Sequence, residues 1–119
     1  MNNKIYYLKT CSTCQRILGE LDGLLEGVEL QNIKEEHISA SELKYVAEKL
    51  GGYEAAFNKR AMKYRSMGLN KESLSEADFE KHILSEYTFL KRPIAVIDGA
   101  VYAGNSKKTV AELKEKLNG

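Results

Sequence analysis

A chain of 119 residues with 43% hydrophobic and 29% charged side chains has the size of one domain and can bury a core without staples. Its formal net charge of +1 excludes a polybasic protein drawn to nucleic acid or anionic membrane by bulk charge. The apolar run at residues 5–8, IYYL, is too short for a signal-peptide core, and no stretch approaches a membrane span. The expected setting is therefore the cytoplasm, where most thiols stay reduced.

Taken in order, residues 4–8 (KIYYL) suit a strand by their β-branched and aromatic content. Tyr6 and Tyr7 alternate faces there, one toward the core and one toward a neighbouring site. A loop holding Cys11 and Cys14 follows, and then Ile17, Leu18, Leu21 and Leu25 at helical spacing, with Gly27 as the stop. Residues 28–33 (VELQNI) alternate apolar and polar and predict a second strand. The opening is thus a βαβ unit with a CxxC at the mouth of its helix.

The middle of the chain predicts helices. Ser39 and Glu42 have capping-box spacing ahead of Leu43, Val46, Ala47 and Leu50, and Gly51 with Gly52 ends the run. A second helix starts near Tyr53 and carries Phe57. A short one spans residues 60–69 up to Gly68. Another starts at Ser75, with Asp78 as the reciprocal acid and Phe79, His82 and Ile83 following.

Residues 94–97 (IAVI) form a continuous apolar run, as expected of a strand buried on both faces. Asp98 and Gly99 before AVY predict a tight hairpin. Ser106 then caps a last helix with Val110, Leu113 and Leu117 on one stripe, its mixed charges facing solvent. This order predicts an α/β fold of thioredoxin-like type, βαβ-(helical insertion)-ββα. It is a mixed sheet in one domain over residues 1–119, with an inserted helical subdomain at about 39–90.

The chemistry centres on the two cysteines. A helix N-terminus exposes unpaired N–H groups and a partial positive charge, so a cysteine just before it is favoured as thiolate. Cys11 is the expected exposed nucleophile, and Cys14, one turn on and more buried, the thiol able to attack an intermediate formed on Cys11. Lys9 and Arg16 are close enough in sequence to add positive potential. Thr10, Ser12 and Thr13 offer hydroxyls or N–H groups to a bound anion, although short polar residues also simply suit a helix start.

Rival readings of the pair fare worse. Zinc needs about four ligands, and His37, which reads as a loop residue, and His82, which reads as a half-buried helix residue, lie in unrelated segments. A phosphatase loop wants five residues between cysteine and arginine, whereas four separate Cys11 from Arg16. No glycine-rich phosphate cradle is present in the motif. No metal or bound cofactor is expected.

Pro93, the one proline of the chain, precedes the buried strand and belongs at its start, where no ladder donor is needed. Base rates favour a trans bond; a thioredoxin-like fold instead predicts a cis Arg92–Pro93 bond packed on the cysteine loop.

Together, KIYYLKTCSTCQRIL, FNKRAMKYRSMGL and FLKRPIAVIDG resemble the arsenate reductase/Spx family over nearly the whole chain. The resemblance implies an arsenate reductase-like thiol oxidoreductase in which Cys11 attacks an oxyanion or disulfide. It implies that Arg92 binds the anion together with Arg60, or with Asn58 at that position if the alignment shifts by two residues. It further implies glutathione with glutaredoxin, or thioredoxin, as electron donor, hence a redox protein partner and a small oxyanion or thiol substrate.

A third family arginine would fall near YAGNSKK, where this chain has Gly104, Asn105, Ser106, Lys107 and Lys108; lysine lacks the bidentate fork of arginine. The cysteine at position 14 is a feature of the Spx-type members. The resemblance therefore carries an alternative: a redox-sensing transcriptional regulator that binds the RNA polymerase α subunit through a disulfide switch. Neither reading involves direct contact with nucleic acid or membrane, and a monomer is expected.

Overall fold

The computed structural model describes residues 2–119. The chain falls into two compact units: one holds the chain up to Glu36 and then Arg92–Gly119, the other His37–Lys91.

The first unit is built on a four-stranded mixed sheet. Its strands are β1 (Lys4–Tyr7), β2 (Glu29–Asn32), β3 (Ile94–Ile97) and β4 (Ala100–Ala103), in the order β2-β1-β3-β4. β1 and β2 run parallel, which requires a crossover; helix α1 (Ser12–Glu20) provides it. β3 pairs antiparallel with both β1 and β4. Asp98 and Gly99 both adopt positive φ, 50° and 83°, the geometry of the tight turn that Asp-Gly favours.

Ile5, Ala95 and Ile97 from the sheet join Ile17 and Leu21 of α1 and Val110 and Leu113 of the last helix in one buried cluster. Tyr7 packs against this cluster, whereas Tyr6 on the other sheet face is fully buried. All four residues of β3 are buried, in keeping with its continuous apolar run.

Two expectations for this unit need correction. Helix α1 starts at Ser12 and ends at Glu20, so Leu25 lies beyond it. Gly19, then Asp22 and Gly23, make a weak run for helix continuation, and Gly23 takes φ of 85°. Leu25 still packs against the core from the following turn. In β2 the expected apolar-in alternation is inverted: Leu30 is 44% exposed at the sheet edge, and Gln31 is 3% exposed. Gln31 tolerates burial because its amide is used on both sides. It accepts from Lys4 Nζ at 2.9 Å and donates to the Glu36 carbonyl at 2.8 Å.

The second unit is helical: α2 (Ala40–Leu50), α3 (Tyr53–Ala56), α4 (Met62–Ser66) and α5 (Glu76–Ser85), with single 3₁₀ turns at Leu69–Lys71 and Tyr87–Phe89. Ser39 and Glu42 form the reciprocal capping box of α2, and Ser75 and Asp78 that of α5. Gly51, in the left-handed conformation, closes α2 by donating to the Ala47 carbonyl. Phe57 anchors the interior of this unit, with ring centroids 5.0 Å from Phe79 and Phe89 and 5.5 Å from Tyr64.

The chain ends in α5's counterpart in the first unit, helix α6 (Lys107–Asn118), capped by Ser106. Among the described residues, no helix is long and apolar enough to cross a membrane.

Candidate active site

The strand β1 delivers the chain to a tight turn in which the Cys11 N–H donates to the Leu8 carbonyl at 3.0 Å. Cys11 is then the N-cap of α1, in extended conformation with φ −84° and ψ 116°. No acidic residue occupies the first turn of α1, so nothing in that turn offsets the positive end of the helix. The thiol of Cys11 makes no capping bond, which leaves the first N–H groups of the helix available to a better acceptor, the thiolate.

Cys11 is half-buried and Cys14 is buried; both are free thiols. Burial is the largest influence on Cys11 and by itself raises its pKa. Hydrogen bonds from the Cys14 N–H, the Arg92 side chain, the Cys14 thiol and the Thr13 N–H outweigh it, so Cys11 lies below the ordinary thiol value. Cys14 is pushed the other way, up to about 11, first by burial and then by the adjacent Cys11 charge and its hydrogen bond; a backbone bond with Leu8 and the charge of Arg92 only partly oppose this. One thiol is thus prepared as thiolate while its neighbour is held protonated as a donor to it.

Arg92 immediately precedes β3, and the Arg92–Pro93 peptide bond is cis. Pro93 is buried at the strand start, and its carbonyl accepts from the Gly104 N–H at 3.0 Å. Cys11, Cys14, Thr13 and Arg92 therefore belong to one constellation. Thr10 and Ser12 are exposed beside it in sequence. Arg16 is not part of it: its guanidinium is exposed and ion-paired with Glu20 at 2.9 Å, one helical turn along.

Arg60 and Asn58 lie in the helical unit. Asn58 has a structural task there: Oδ1 accepts from the Arg60 N–H at 3.1 Å and Nδ2 donates to the Thr88 carbonyl at 3.3 Å. Arg60 is exposed. Lys107 and Lys108, in the first turn of α6, are also exposed. His82 sits edge-on to Phe89 with centroids 5.9 Å apart, and His37 Nε2 lies 2.6 Å from the Ile83 carbonyl. Among the described residues no three His, Cys, Asp or Glu side chains converge as a metal site would require. A recess lined by Asp98, Tyr102, Glu112, Glu115 and Lys116 carries three carboxylates and is unsuited to an oxyanion.

Sequence reasoning missed two groups that hold the cysteine turn. Gln15 Nε2 donates to the Lys9 carbonyl at 2.7 Å, and the Lys9 N–H donates to Asn32 Oδ1 at 3.3 Å. Neither residue has a motif of its own; only the Asn at a strand end and the Gln one position after a CxxC hint at them.

A parallel βαβ start, an antiparallel hairpin and a cysteine at the helix mouth define a thioredoxin-like α/β domain with an accessible thiol. The chain belongs to the ArsC family, whose model matches residues 6–113. It is similar in fold to an arsenate reductase from Vibrio cholerae, at 24% identity and a TM-score of 0.78, over 94% of this chain and 97% of that one. A protein from Streptococcus mutans described as a possible arsenate reductase is 26% identical with a TM-score of 0.73, over 93% and 96% of the two chains. An ArsC-related protein from Bacteroides fragilis reaches a TM-score of 0.81 at 21% identity, over 95% and 98%. No curated protein sequence matches the chain significantly.

Proposed function

We propose that this ArsC-family chain is a thiol oxidoreductase with arsenate reductase-like chemistry, acting through Cys11 and Cys14. The observation that carries the reading is the opposite polarisation of the two thiols, one below its ordinary value beside Arg92 and the other up to about 11. Cys11, as thiolate, attacks the substrate. With a disulfide, it forms a mixed disulfide and releases one thiolate, which takes up a proton from solvent. With an oxyanion such as arsenate, it forms a thioester-like adduct as one oxygen leaves as water.

Cys14 then loses its proton and attacks the Cys11 sulfur. The Cys11–Cys14 disulfide forms, and two electrons pass to the departing group, leaving a free thiol or arsenite. Glutathione with glutaredoxin, or thioredoxin, then returns the disulfide to the dithiol by exchange. Arg92 serves as an anion-binding group, Arg60 as a second, and the N–H groups around Thr10, Ser12 and Thr13 supply the rest of the cradle. Asn58, tied to backbone on both sides of its amide, is the poorer occupant of the second position.

The test is arsenate-dependent NADPH oxidation coupled in turn to glutaredoxin and thioredoxin. Cys11→Ser is expected to lose turnover by at least about 100-fold; full activity in that variant would sink the reading.

A second reading rests on two observations: Cys14 itself, and Lys107 and Lys108 where the family's third arginine would fall. On it the dithiol is a switch of Spx type, a monomeric cytoplasmic regulator whose disulfide state sets binding to the RNA polymerase α subunit. It predicts capture of that subunit in one thiol state and no steady-state arsenate reduction. Equal failure to bind in both states removes it.

A further inference from the structure

We propose that Gln15 is the positioning residue for the Cys11 sulfur, with Asn32 in support, because the two hold the Lys9 peptide from opposite sides. The inference rests on the reading of Cys11 as the reactive thiolate.

Cys11 follows a turn whose corners are Lys9 and Thr10. Gln15 grips that turn twice. Its main-chain N–H donates to the Cys11 carbonyl at 3.0 Å, the first bond of α1, while its side-chain Nε2 reaches back to the Lys9 carbonyl at 2.7 Å. The two accepting carbonyls bracket the Thr10–Cys11 segment. On the other side of the Lys9 peptide, its N–H donates to Asn32 Oδ1 at 3.3 Å.

Asn32 is itself fixed as the last residue of β2, in register with Tyr7 of β1. The turn is thereby tied to the helix it caps and to the strand edge beside it. Of the two ties, Gln15 has the shorter and stronger bond.

This clamp is poorly suited to a stability role alone. Gln15 is exposed, and water competes for both of its partners, so the net contribution of such a bond is small. Position, in contrast, matters steeply. A thiolate at an N-cap depends on hydrogen bonds from the N–H groups of the first turn, and these weaken sharply when distance or angle slips. The side chain at position 15 must be a donor of this length to reach back to Lys9; a carboxylate there would repel the carbonyl. The charged and titratable groups facing the sulfur are Cys14 and Arg92. Gln15 is neutral, so Gln15→Met alters none of that electrostatic surrounding while removing the donor at similar length.

The experiment measures iodoacetamide alkylation of Cys11 against pH, with the modified cysteine located by fragment mass spectrometry, in the wild-type chain, Gln15→Met and Asn32→Ala. Melting temperature is recorded alongside. Gln15→Met is expected to raise the alkylation midpoint and to slow Cys11 modification at neutral pH about three- to tenfold, with little change in melting temperature. Asn32→Ala should shift the midpoint the same way by less.

A lowered melting temperature with an unchanged midpoint in both variants would assign them a structural role and overturn the proposal, as would no change in either. A wild-type midpoint at the ordinary thiol value would overturn the thiolate reading and this proposal together. A low wild-type midpoint that both variants retain removes the positioning role alone.

Discussion

The side chain of Arg92 and the first N–H groups of α1 converge on one sulfur, and they do different work there. The N–H groups are fixed by the helix and act through direction. Arg92 brings a full charge and a planar fork that can bind an oxyanion in two-point fashion. Arg92→Met is expected to raise the Cys11 midpoint and reduce its alkylation rate at neutral pH by about tenfold, the effect of one unit in thiol pKa.

Arg92→Lys keeps the charge and should recover most of that rate. It should not recover oxyanion affinity, so KM for an oxyanion substrate rises even where Cys11 reactivity is restored. Equal recovery of both by Lys would mean that charge alone matters at this position. From sequence, Arg92 was recognisable because it stands beside the single proline. Gln15 was not, because its role depends on a backward reach that spacing does not encode.

At the level of elements, the helical unit shows a cap supplied from a distant segment. The Glu76 carboxylate accepts from the Tyr53 N–H at 2.6 Å and from the Glu54 N–H at 3.1 Å, closing the start of α3. It approaches so near that a Cβ on Gly52 would stand 2.7 Å from Glu76 Oε1. Gly52 also has φ of 150°, so a side chain there would be strained and would displace the cap. Glu76→Ala is expected to lower stability by about 0.5–2 kcal/mol, the range for loss of a cap, read as a shift of the urea midpoint at constant slope. A shift below the error of the measurement would mean that water replaces the carboxylate at no cost.

The local caps, Ser39 with Glu42 and Ser75 with Asp78, were legible because both partners lie within four residues. The Glu76 cap joins residues more than twenty apart, and no local pattern marks it. The same limit explains β2: Leu30 looked like an inward residue until its edge position in the sheet was known, and Gln31 looked outward until Lys4 and the Glu36 carbonyl supplied its partners.

For the molecule as a whole, the two cysteines couple folding to pH with opposite signs. Cys11 has a folded pKa below the unfolded value of about 8.5, so the folded state favours its thiolate. Its contribution is fully present above about pH 8.5 and is lost as pH falls through the folded value. Cys14 is raised to about 11, so the folded state favours its protonated form. Its contribution is fully present below about pH 8.5 and is lost as pH rises toward 11.

The pair therefore predicts a stability that climbs toward about pH 8.5 and declines beyond it. Tyr53 and Lys59 are also raised and add to the alkaline decline, which is why the difference from single variants is the informative quantity. Measured by urea titration under reducing conditions, Cys11→Ser should flatten the climb while keeping the decline. Cys14→Ser should soften the decline between about pH 8.5 and 11 and keep a climb. Parallel curves for the wild type and both variants would mean that the thiols titrate alike in the folded and unfolded chain. The division of roles between a thiolate nucleophile and a protonated partner would then lose its physical basis.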